Sequence, residues 1–507
     1  MRVKNSIRNA FVSIASQLIV LAVTLISRRI IVTYMDSSLL GYEGVFRDVL
    51  ALLTFSELGI GPAIIYNLYR TVAIKDEEET QNLMIIYRNM YAVAAGIVVI
   101  LGVVLIPFLP YICKESNLTK GFMYEIYIIQ LIVTVSTYIM AYKRARFVAE
   151  QAEYSCIRIE TGINVLSQLV RVIILYFTRN YLLYLSVGIC QNVIANILIS
   201  HNYNKLFGKI PNKKMGWKEL KKRNLHTEMK NVTIHRLAHF VYTGTDNVVI
   251  SSFISVGAVT FFTNYSMICN QVNTLFDSLF KPMTASIGNL IYEKEGNDSK
   301  EVFWGIDLLL FFVASFVGIS VFVLTEPFIT LWLGSKYVLS GSFLLLVAVN
   351  IYMTWSHKVF DYYRNTLGNY QIDRKYMAMS AGTNLLLSVI LVGFYRFSGV
   401  MIGTIAGQLC MWFGMCYCVF NQYLKCSPWP YVRRQVGRAV LFTIEMYLVY
   451  KLTIFMPMGL IGLAERAIIC LIVPNIINLL IFYRTSHFGI IKRYIKSIAL
   501  LLAKKSR

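Results

Sequence analysis

The sequence lacks the signature motifs of common hydrolases, metalloproteases and nucleotide-driven enzymes. None of the patterns H-E-x-x-H, G-x-S-x-G or G-x-x-x-x-G-K-[ST] occurs in it. No polar connection is longer than about 30 residues, which is far below the size of a soluble domain. A nucleotide-driven pump would need such a domain, so any active transport must use an ion gradient, the membrane potential or substrate flux. We therefore expect no enzymatic activity.

Cysteines are few, and none are spaced as a metal or redox site would require. The nine cysteines include no C-x-x-C pair, and most of them, such as Cys156, Cys190 and Cys410, fall inside apolar runs. We predict no disulfide, no metal site and no cofactor.

Acidic residues are scarce relative to basic ones. The sequence has 27 aspartates and glutamates against 49 lysines and arginines, which gives a net charge of +22. In a soluble protein that charge would indicate nucleic acid or anionic surfaces as partners.

Long apolar runs are what the sequence has in abundance. Hydrophobic residues make up 56% of the 507 residues and the mean hydropathy is +0.57, more than a soluble core can bury. The runs are about 20 residues long, the length that crosses the hydrocarbon core of a bilayer. This pattern predicts an all-α integral membrane protein with about fourteen transmembrane helices. The predicted spans are 9–33, 40–68, 85–111, 122–145, 157–177, 181–203, 232–254, 257–280, 303–325, 340–362, 374–394, 397–421, 435–456 and 462–483.

The positive charges lie on alternate loops. About 33 lysines and arginines are in the N-terminus, every second loop and the C-terminus, and about five are in the opposite loops. Lys143, Arg144 and the 204–231 loop belong to the basic side, whereas Lys114 and Arg179 are on the other. By the positive-inside rule, we expect a multi-pass protein of the cytoplasmic membrane with both termini inside. The positive charge then requires no nucleic acid partner.

A constant offset within the chain indicates two related halves. Glu57 and Pro62 near the end of the second span have counterparts in Asp277 and Pro282, 220 residues later, near the end of the eighth. YKRARFVAEQAEY after span 4 and YYRNTLGNYQIDRKY after span 10 are related by the same offset. Chance similarity between apolar helices that end in Tyr and Arg is the alternative. The pattern predicts two six-helix lobes related by a pseudo-two-fold axis along the membrane normal, plus two C-terminal helices.

The polar connections give the predicted domain boundaries. We expect an N-terminal lobe at 1–210, a basic cytoplasmic linker at 211–230, a C-terminal lobe at 231–425, helices 13 and 14 at 426–485, and a basic amphipathic cytoplasmic tail at 486–507. The tail either lies on the inner leaflet, attracted to anionic lipid, or is simply solvated.

Charged residues inside the spans are candidate functional residues. A charge at the bilayer centre costs at least about 2.5 kcal/mol, so it usually faces a water-filled cavity or a partner. Arg28, Arg47 and Asp48 lie in the first two spans, and Arg171 lies in the fifth. Because the forked donors of arginine match phosphate oxygens, these arginines are interpreted as a cationic wall for a phosphate group. The alternatives are neutralisation by carboxylates such as Glu43, or snorkelling to the interface.

A second polar group is predicted in spans 7 and 10. His239 and Asp246 are seven residues apart and lie near one helix face. They would serve either as a titratable relay for coupling ions or as a buried polar seam between helices. In span 10, next to His357, Lys358 and Asp361 are expected to pair with each other.

Four stretches of the sequence carry a family resemblance. They are LLGYEGVFRDVLALLTFSELGIGPAIIYNLY at 39–69, YKRARFVAEQAEY at 142–154, TGTDNVVISSFISVGAVTFFTNY at 243–265 and SIGNLIYEKEGN at 286–297. They resemble the polysaccharide transporter family of bacterial lipid-linked oligosaccharide flippases, the Wzx type. That family lies within the multidrug/oligosaccharidyl-lipid/polysaccharide exporter superfamily, which has fourteen spans in two six-helix lobes plus two. Glu57 and Asp246 match the family motifs.

The resemblance implies a function and a set of partners. It implies that an oligosaccharide linked to undecaprenyl diphosphate moves from the inner to the outer leaflet by alternating access, for capsule, O-antigen or exopolysaccharide assembly. It also implies a cationic cavity between the lobes. Further partners would be membrane lipid, a glycan polymerase and a chain-length regulator, with H⁺ or Na⁺ as the candidate coupling ion. The residues expected to bind substrate are Arg28, Arg47, Arg171 and Asp48, and those expected to couple or gate transport are Glu57, His239 and Asp246.

The sequence departs from its relatives at two places. Arg47 and Asp48 stand where many relatives are expected to have small polar residues such as Ser and Asn. Span 8 has no arginine between Asn264 and Asp277, where flippases of lipid-linked peptidoglycan precursors usually have one, which argues against that substrate. Two other functions stay open. One is an ion-coupled small-molecule exporter of the same superfamily, and the other is a membrane glycan polymerase, which would need a larger outer loop than this chain offers.

Overall fold

The protein is all-helical throughout the ranges that its computed structural model describes, with no β-strand among them. These ranges are residues 2–54, 60–114, 119–212, 219, 237, 241–242, 244–280, 297–367 and 374–489. In the first part of the chain the helices are α1 Arg2–Tyr34, α2 Ser37–Leu53, α3 Ile60–Ala73, α4 Glu77–Leu105, α5 Leu109–Ile112, α6 Lys120–Ser136, α7 Arg144–Ala149, α8 Tyr154–Thr178, α9 Tyr181–Phe207, α10 Asp246–Phe253 and α11 Val256–Phe280. In the second part they are α12 Asn297–Trp332, α13 Gly341–Ser356, α14 Lys358–Leu367, α15 Arg374–Tyr395, α16 Phe397–Val419, α17 Trp429–Thr453 and α18 Leu460–Phe482. The predicted all-α class is confirmed.

Ten helices of the described ranges are long and apolar enough to cross a membrane. The described parts of the other four predicted spans fall on α2 with α3, on α10, on α11 and on α17, and these parts are helical. The chain is therefore a multi-pass membrane protein, and about fourteen spans agree with its helices.

The fourth predicted span, 122–145, is interrupted in the structure. Helix α6 ends at Ser136, and Met140 adopts a left-handed conformation with a φ of 61°. Two carbonyls next to this break accept hydrogen bonds from side chains of α9. Asn192 Nδ2 donates to Val133 O at 3.0 Å, and Asn196 Nδ2 donates to Ser136 O at 3.2 Å. A helix end inside a membrane protein requires such partners, and these amides make the region polar.

Backbone contacts group the chain into two compact units, Met1–Asn264 and Tyr265–Arg507. The first unit contains α1 to α10 and the start of α11. Most of the predicted linker at 211–230 and of the predicted tail at 486–507 lies outside the described residues. The five predicted domain boundaries therefore stay predictions.

Within the second unit, small residues let α15 and α16 pack closely. A Cβ added at Gly399 would lie 2.3 Å from Leu391 O, and one at Gly403 would lie 2.3 Å from Ser388 Oγ. Ser388 Oγ also donates across the two helices to Val400 O at 3.3 Å. Small residues and interhelical hydrogen bonds are the usual means of helix association in lipid, because lipid tails are as apolar as leucine.

Candidate functional site

Arg28, in the membrane-spanning part of α1, contacts the first turns of α11. Its Nε donates to Asn264 Oδ1 at 2.9 Å, and its Nη2 donates to Thr263 Oγ1 at 3.2 Å. Both partners are neutral, and within the described ranges no carboxylate lies within 4.0 Å of its guanidinium nitrogens. The half-buried cation therefore keeps its net charge and has further N–H donors available.

Arg47 and Asp48 form a weak pair, and Asp48 has a better partner in α10. Arg47 Nε lies 3.6 Å from Asp48 Oδ1, with side-chain exposures of 62% and 19%. Asn247 Nδ2 donates to Asp48 Oδ2 at 2.7 Å, the shorter and less exposed contact. Asp48 therefore connects α2 to α10, while Arg47 extends from the helix surface.

The start of α2 packs tightly on the start of α11. Thr260 Oγ1 donates to the carbonyl of Ser37. A Cβ added at Gly41 would lie 2.0 Å from Val256 O, which is closer than any real contact allows. This α2–α11 seam lies beside the Asp48–Asn247 bond and depends on glycine for its close approach.

Arg171 lies in α8 against two stacked tyrosines of α9. Its Cζ is 5.3 Å from the ring centroid of Tyr184, and the rings of Tyr184 and Tyr181 are 5.6 Å apart at 12°. The hydroxyl of Tyr181 donates to Leu39 O at 2.9 Å and lies 3.5 Å from Glu43 Oε2. Arg171 Nε is buried and has no hydrogen-bond partner among the described residues. Arg171 is thus a second membrane-depth cation held by aromatic rings rather than by a carboxylate.

These groups belong to one electrostatic neighbourhood. Glu43, Arg47, Tyr181 and Tyr184 all lie close enough to Arg28 for electrostatic interaction with its guanidinium group. The structure therefore connects all four residues predicted to bind substrate, because Asp48 pairs with Arg47 and Arg171 contacts Tyr184. Three arginines face two carboxylates here, an excess of one positive charge that favours an anionic ligand.

The residues predicted to couple or gate transport are only partly described. Glu57 and His239 lie outside the described residues. Asp246 is the first residue of α10, directly before the Asn247 that bonds Asp48. A coupling or gating role for these three stays a prediction.

A polar cavity of about 370 Å³, which the sequence did not reveal, lies where α8 and α9 meet the break after α6. The amides Asn164, Gln191, Asn192 and Asn196 line it. Asn164 Oδ1 is buried and has no hydrogen-bond partner in the described part of the chain. At its edge, Arg144 Nη1 donates to Glu160 Oε1 at 2.6 Å, so this ion pair adds no net charge. In the sequence, the only sign of this cavity is the spacing of Asn192 and Asn196, which are four residues apart and so lie on one face of α9. The carbonyls that they bond are more than fifty residues away in the sequence.

In the second unit, the charges of span 10 find partners within it. Lys358 Nζ lies 3.9 Å from Asp361 Oδ2, as predicted, but only 3.0 Å from Asp277 Oδ1. Asp361 in turn lies 2.9 Å from Arg364. His357 stacks on Trp412, with ring centroids 4.4 Å apart. We interpret these contacts as packing between helices.

Sequence reasoning also missed a buried ion pair between α12 and α17. Arg438 Nη1 lies 2.6 Å from Asp307 Oδ2, and Gln435 Nε2 donates to Asp307 Oδ1 at 2.9 Å. The sequence feature that could have indicated this pair is Asp307, a single acidic residue within the apolar run GIDLLLFF. Because the pair is closed and buried, it holds helices together and leaves no charge for a ligand.

The arrangement of helices defines a multi-helix membrane fold that two kinds of solved structure share. The structure is similar to that of the lipid II flippase MurJ in an inward closed conformation, with a TM-score of 0.69, 14% identity, and coverage of 94% of this chain and 99% of that one. It is also similar to an inward-facing multidrug resistance transporter of the MATE family of the MOP superfamily, with a TM-score of 0.65, 13% identity, and coverage of 81% and 98%.

A third solved structure extends the comparison. A point mutant of the Vibrio cholerae MATE transporter VcmN gives a TM-score of 0.57 at 13% identity, with coverage of 83% of this chain and 98% of that one. No family profile matches the chain, and no curated protein is similar to it in sequence. At these identities the likeness establishes the fold, which this chain shares with solved transporters and a flippase.

Proposed function

We propose that this protein is a flippase, which moves oligosaccharide repeat units linked to undecaprenyl diphosphate from the inner to the outer leaflet by alternating access. The observation that supports this function is the state of Arg28, a membrane-depth cation whose partners Asn264 and Thr263 are both neutral. Such a charge is costly unless a ligand or water compensates it. A diphosphate supplies the missing negative charge and matches the forked donors of arginine.

The surrounding residues suit the other parts of such a substrate. Arg171 is a second cation without a carboxylate partner among the described residues, and Arg47 is largely exposed. Together with Arg28 they would hold the diphosphate. The amide-lined cavity between α8 and α9 offers donors and acceptors without net charge, as sugar hydroxyls require. The polyprenyl tail would stay in the lipid.

The α2–α11 seam is the proposed place of opening. Both helices begin there, at the predicted outer side of the membrane. The contacts within it are the Asp48–Asn247 bond and the close approach at Gly41. In alternating access, these contacts would form while the substrate is taken up from the inside and break when it is released outside.

The same proposal includes the location and the partners of the protein. It places the protein in the inner membrane with both termini in the cytoplasm, and its partners would be a glycan polymerase and a chain-length regulator.

An ion-coupled exporter of small molecules is the second candidate, favoured by the likeness to a multidrug resistance transporter of the MATE family. In that case Asp246, in the first turn of α10, would be the candidate for H⁺ or Na⁺ coupling. Such an exporter should work without a polyprenyl carrier, which separates the two candidates.

Deletion of the gene in its host tests the proposal. Glycans linked to undecaprenyl diphosphate would be measured by mass spectrometry, and an impermeant lectin would report which leaflet holds them. We expect complete repeat units to accumulate on the inner leaflet. Unpolymerised repeat units on the outer leaflet would instead indicate a polymerase, and an unchanged lipid-linked pool would favour the small-molecule exporter.

A further inference from the structure

A second cavity, of about 630 Å³, lies in the unit Tyr265–Arg507, where α17 begins and α18 ends. Its volume is within the range of small-ligand pockets. Its polar lining residues are Arg434, Arg438, Thr485, Ser486 and His487, and its apolar ones are Leu308, Leu441, Ile481 and Phe482. Along α17 and α18, the apolar residues Leu441, Ile481 and Phe482 lie deeper in the predicted spans than Arg434 and His487. The cavity therefore has cationic groups near the helix ends and an apolar wall deeper in the predicted membrane.

The two arginines of this cavity differ in their pairing. The charge of Arg438 is compensated by Asp307 at 2.6 Å. Arg434 is exposed and has no carboxylate within 4.0 Å among the described residues. Its Cζ lies 4.0 Å from the ring centroid of Trp304, and its Nη1 lies 3.1 Å from His487 Nε2. Arg434 is thus a positioned cation without a counter-ion in the described part of the chain.

The position of the cavity suits a lipid more than a soluble anion. It opens where membrane helices end, at the side predicted to be cytoplasmic. Cationic pockets between transmembrane helices on that side are suited to acidic lipid headgroups. A soluble phosphate would use the polar end alone, whereas Leu441 and Ile481 continue the wall in the direction of an acyl chain.

We propose that this cavity binds the headgroup of an acidic glycerophospholipid of the inner leaflet. The phosphodiester contacts Arg434 and His487 and accepts a hydrogen bond from the hydroxyl of Ser486, whereas the hydroxyl of Thr485 donates to Phe482 O at 2.7 Å. One acyl chain lies along Leu441 and Ile481. The site is separate from Arg28 and its neighbours and does not depend on the proposed transport function.

Protonation of His487 adds a pH dependence to this site. Burial and the positive charges of Arg434 and Arg438 hold the pKa of His487 below its ordinary value, while Glu301 acts in the opposite direction. Asp307, the other acid nearby, is paired with Arg438. His487 is therefore neutral at pH 7 and becomes charged only as the pH falls through its lowered pKa. A bound phosphodiester favours the charged form, so lipid affinity should rise as the pH falls toward the lowered pKa of His487.

Lipid binding to the purified full-length protein tests the proposal. Phosphatidylglycerol and phosphatidylcholine would be titrated in detergent, with native mass spectrometry as the readout. We expect phosphatidylglycerol to bind about tenfold more tightly, and Arg434→Gln to remove most of this difference. Arg433→Gln is the matched control. It removes the same charge one position earlier on α17 but does not line the cavity, so it should change affinity less than twofold. His487→Gln should abolish the increase at low pH.

Three results would overturn the proposal. Equal binding of the two lipids would show that the cavity does not select acidic headgroups. Equal losses in Arg433→Gln and Arg434→Gln would assign the effect to surface charge. Displacement of phosphatidylglycerol by inorganic phosphate at similar concentrations would identify a site for free anions. Thermal unfolding of each variant shows whether it is folded, and Arg434→Lys, which keeps the charge, should retain part of the preference if Arg434→Gln unfolds.

Discussion

Asn247 donates a hydrogen bond to the carboxylate of Asp48 at 2.7 Å, across 199 residues of sequence. The bond joins α10 to α2 and lies beside the α2–α11 seam. Because one partner is ionised and the other neutral, it is stronger than an ordinary hydrogen bond. It is also a contact that can break without leaving two charges unpaired, which suits a latch in a protein that changes conformation.

The Asp48–Asn247 bond should show energetic coupling. In a double-mutant cycle of Asp48→Ala and Asn247→Ala, we expect the two losses of stability to be non-additive by about 1–3 kcal/mol. Thermal and denaturant unfolding of the purified protein in detergent measures it. The control cycle is Arg47→Ala with Asp48→Ala. Their pair is long and exposed at Arg47, so its coupling should stay below about 1 kcal/mol. Equal coupling in both cycles would contradict the latch.

Arg28 should matter for transport and its neighbour Arg29 should not. Arg28→Ala would remove the charge-assisted hydrogen bonds that we propose for the diphosphate of the substrate, so we expect transport to fall roughly tenfold or more. Arg29→Ala is the matched control, because Arg29 is exposed on another face of α1. Arg28→Lys should restore little if the contact is bidentate. Complementation of a deletion strain measures transport, and membrane levels of each variant check insertion. A normal rate in Arg28→Ala would remove this residue from the site.

The seam between α2 and α11 should reject a side chain at Gly41. Gly41→Ala places a Cβ 2.0 Å from the carbonyl oxygen of Val256, so the helices must separate. We expect a loss of about 1–3 kcal/mol in stability or a shift toward a conformation with the seam open. Gly257→Ala is the control, since its nearest neighbour, Ser37 Oγ, would be 3.6 Å away. Thermal unfolding and cysteine accessibility at Thr260→Cys distinguish the two outcomes. Identical behaviour of both variants would contradict this account of the seam.

Asn164 and Asn196 line the same cavity, but their replacement by alanine should affect stability differently. Asn196 donates to Ser136 O at the broken end of α6, so Asn196→Ala leaves that carbonyl with only the longer bond from Ile139 N at 3.3 Å and should cost about 0.5–1.5 kcal/mol in stability. Asn164 Oδ1 has no partner in the described part of the protein, so Asn164→Ala should change stability little. If the cavity receives sugar, Asn164→Ala should still slow transport. Unfolding and complementation assays on both variants separate these effects, and normal transport in Asn164→Ala would argue against a sugar site.

The sequence predicts the spans well because the signal is local. A run of about 20 apolar residues has few alternatives to a membrane helix, whatever lies elsewhere in the chain. The break after Ser136 was missed because its partners, Asn192 and Asn196, lie on another helix. Arg28 and Arg171 were found because charge inside a span is conspicuous. Which groups surround them depends on packing between distant segments, as with Asp307 and Arg438, and no local pattern records it.

Reconstitution tests the central claim most directly. The purified protein would be placed in vesicles that contain isolated undecaprenyl diphosphate-linked oligosaccharide, with an impermeant glycosidase outside. Without the protein, only glycans of the outer leaflet are cleaved. We predict that the wild-type protein raises the cleaved fraction toward completion, and that Arg28→Ala does so much more slowly than Arg29→Ala. An unchanged cleaved fraction with folded wild-type protein, in vesicles where the same preparation exports a small cationic dye, would contradict the flippase and identify the protein as a small-molecule exporter.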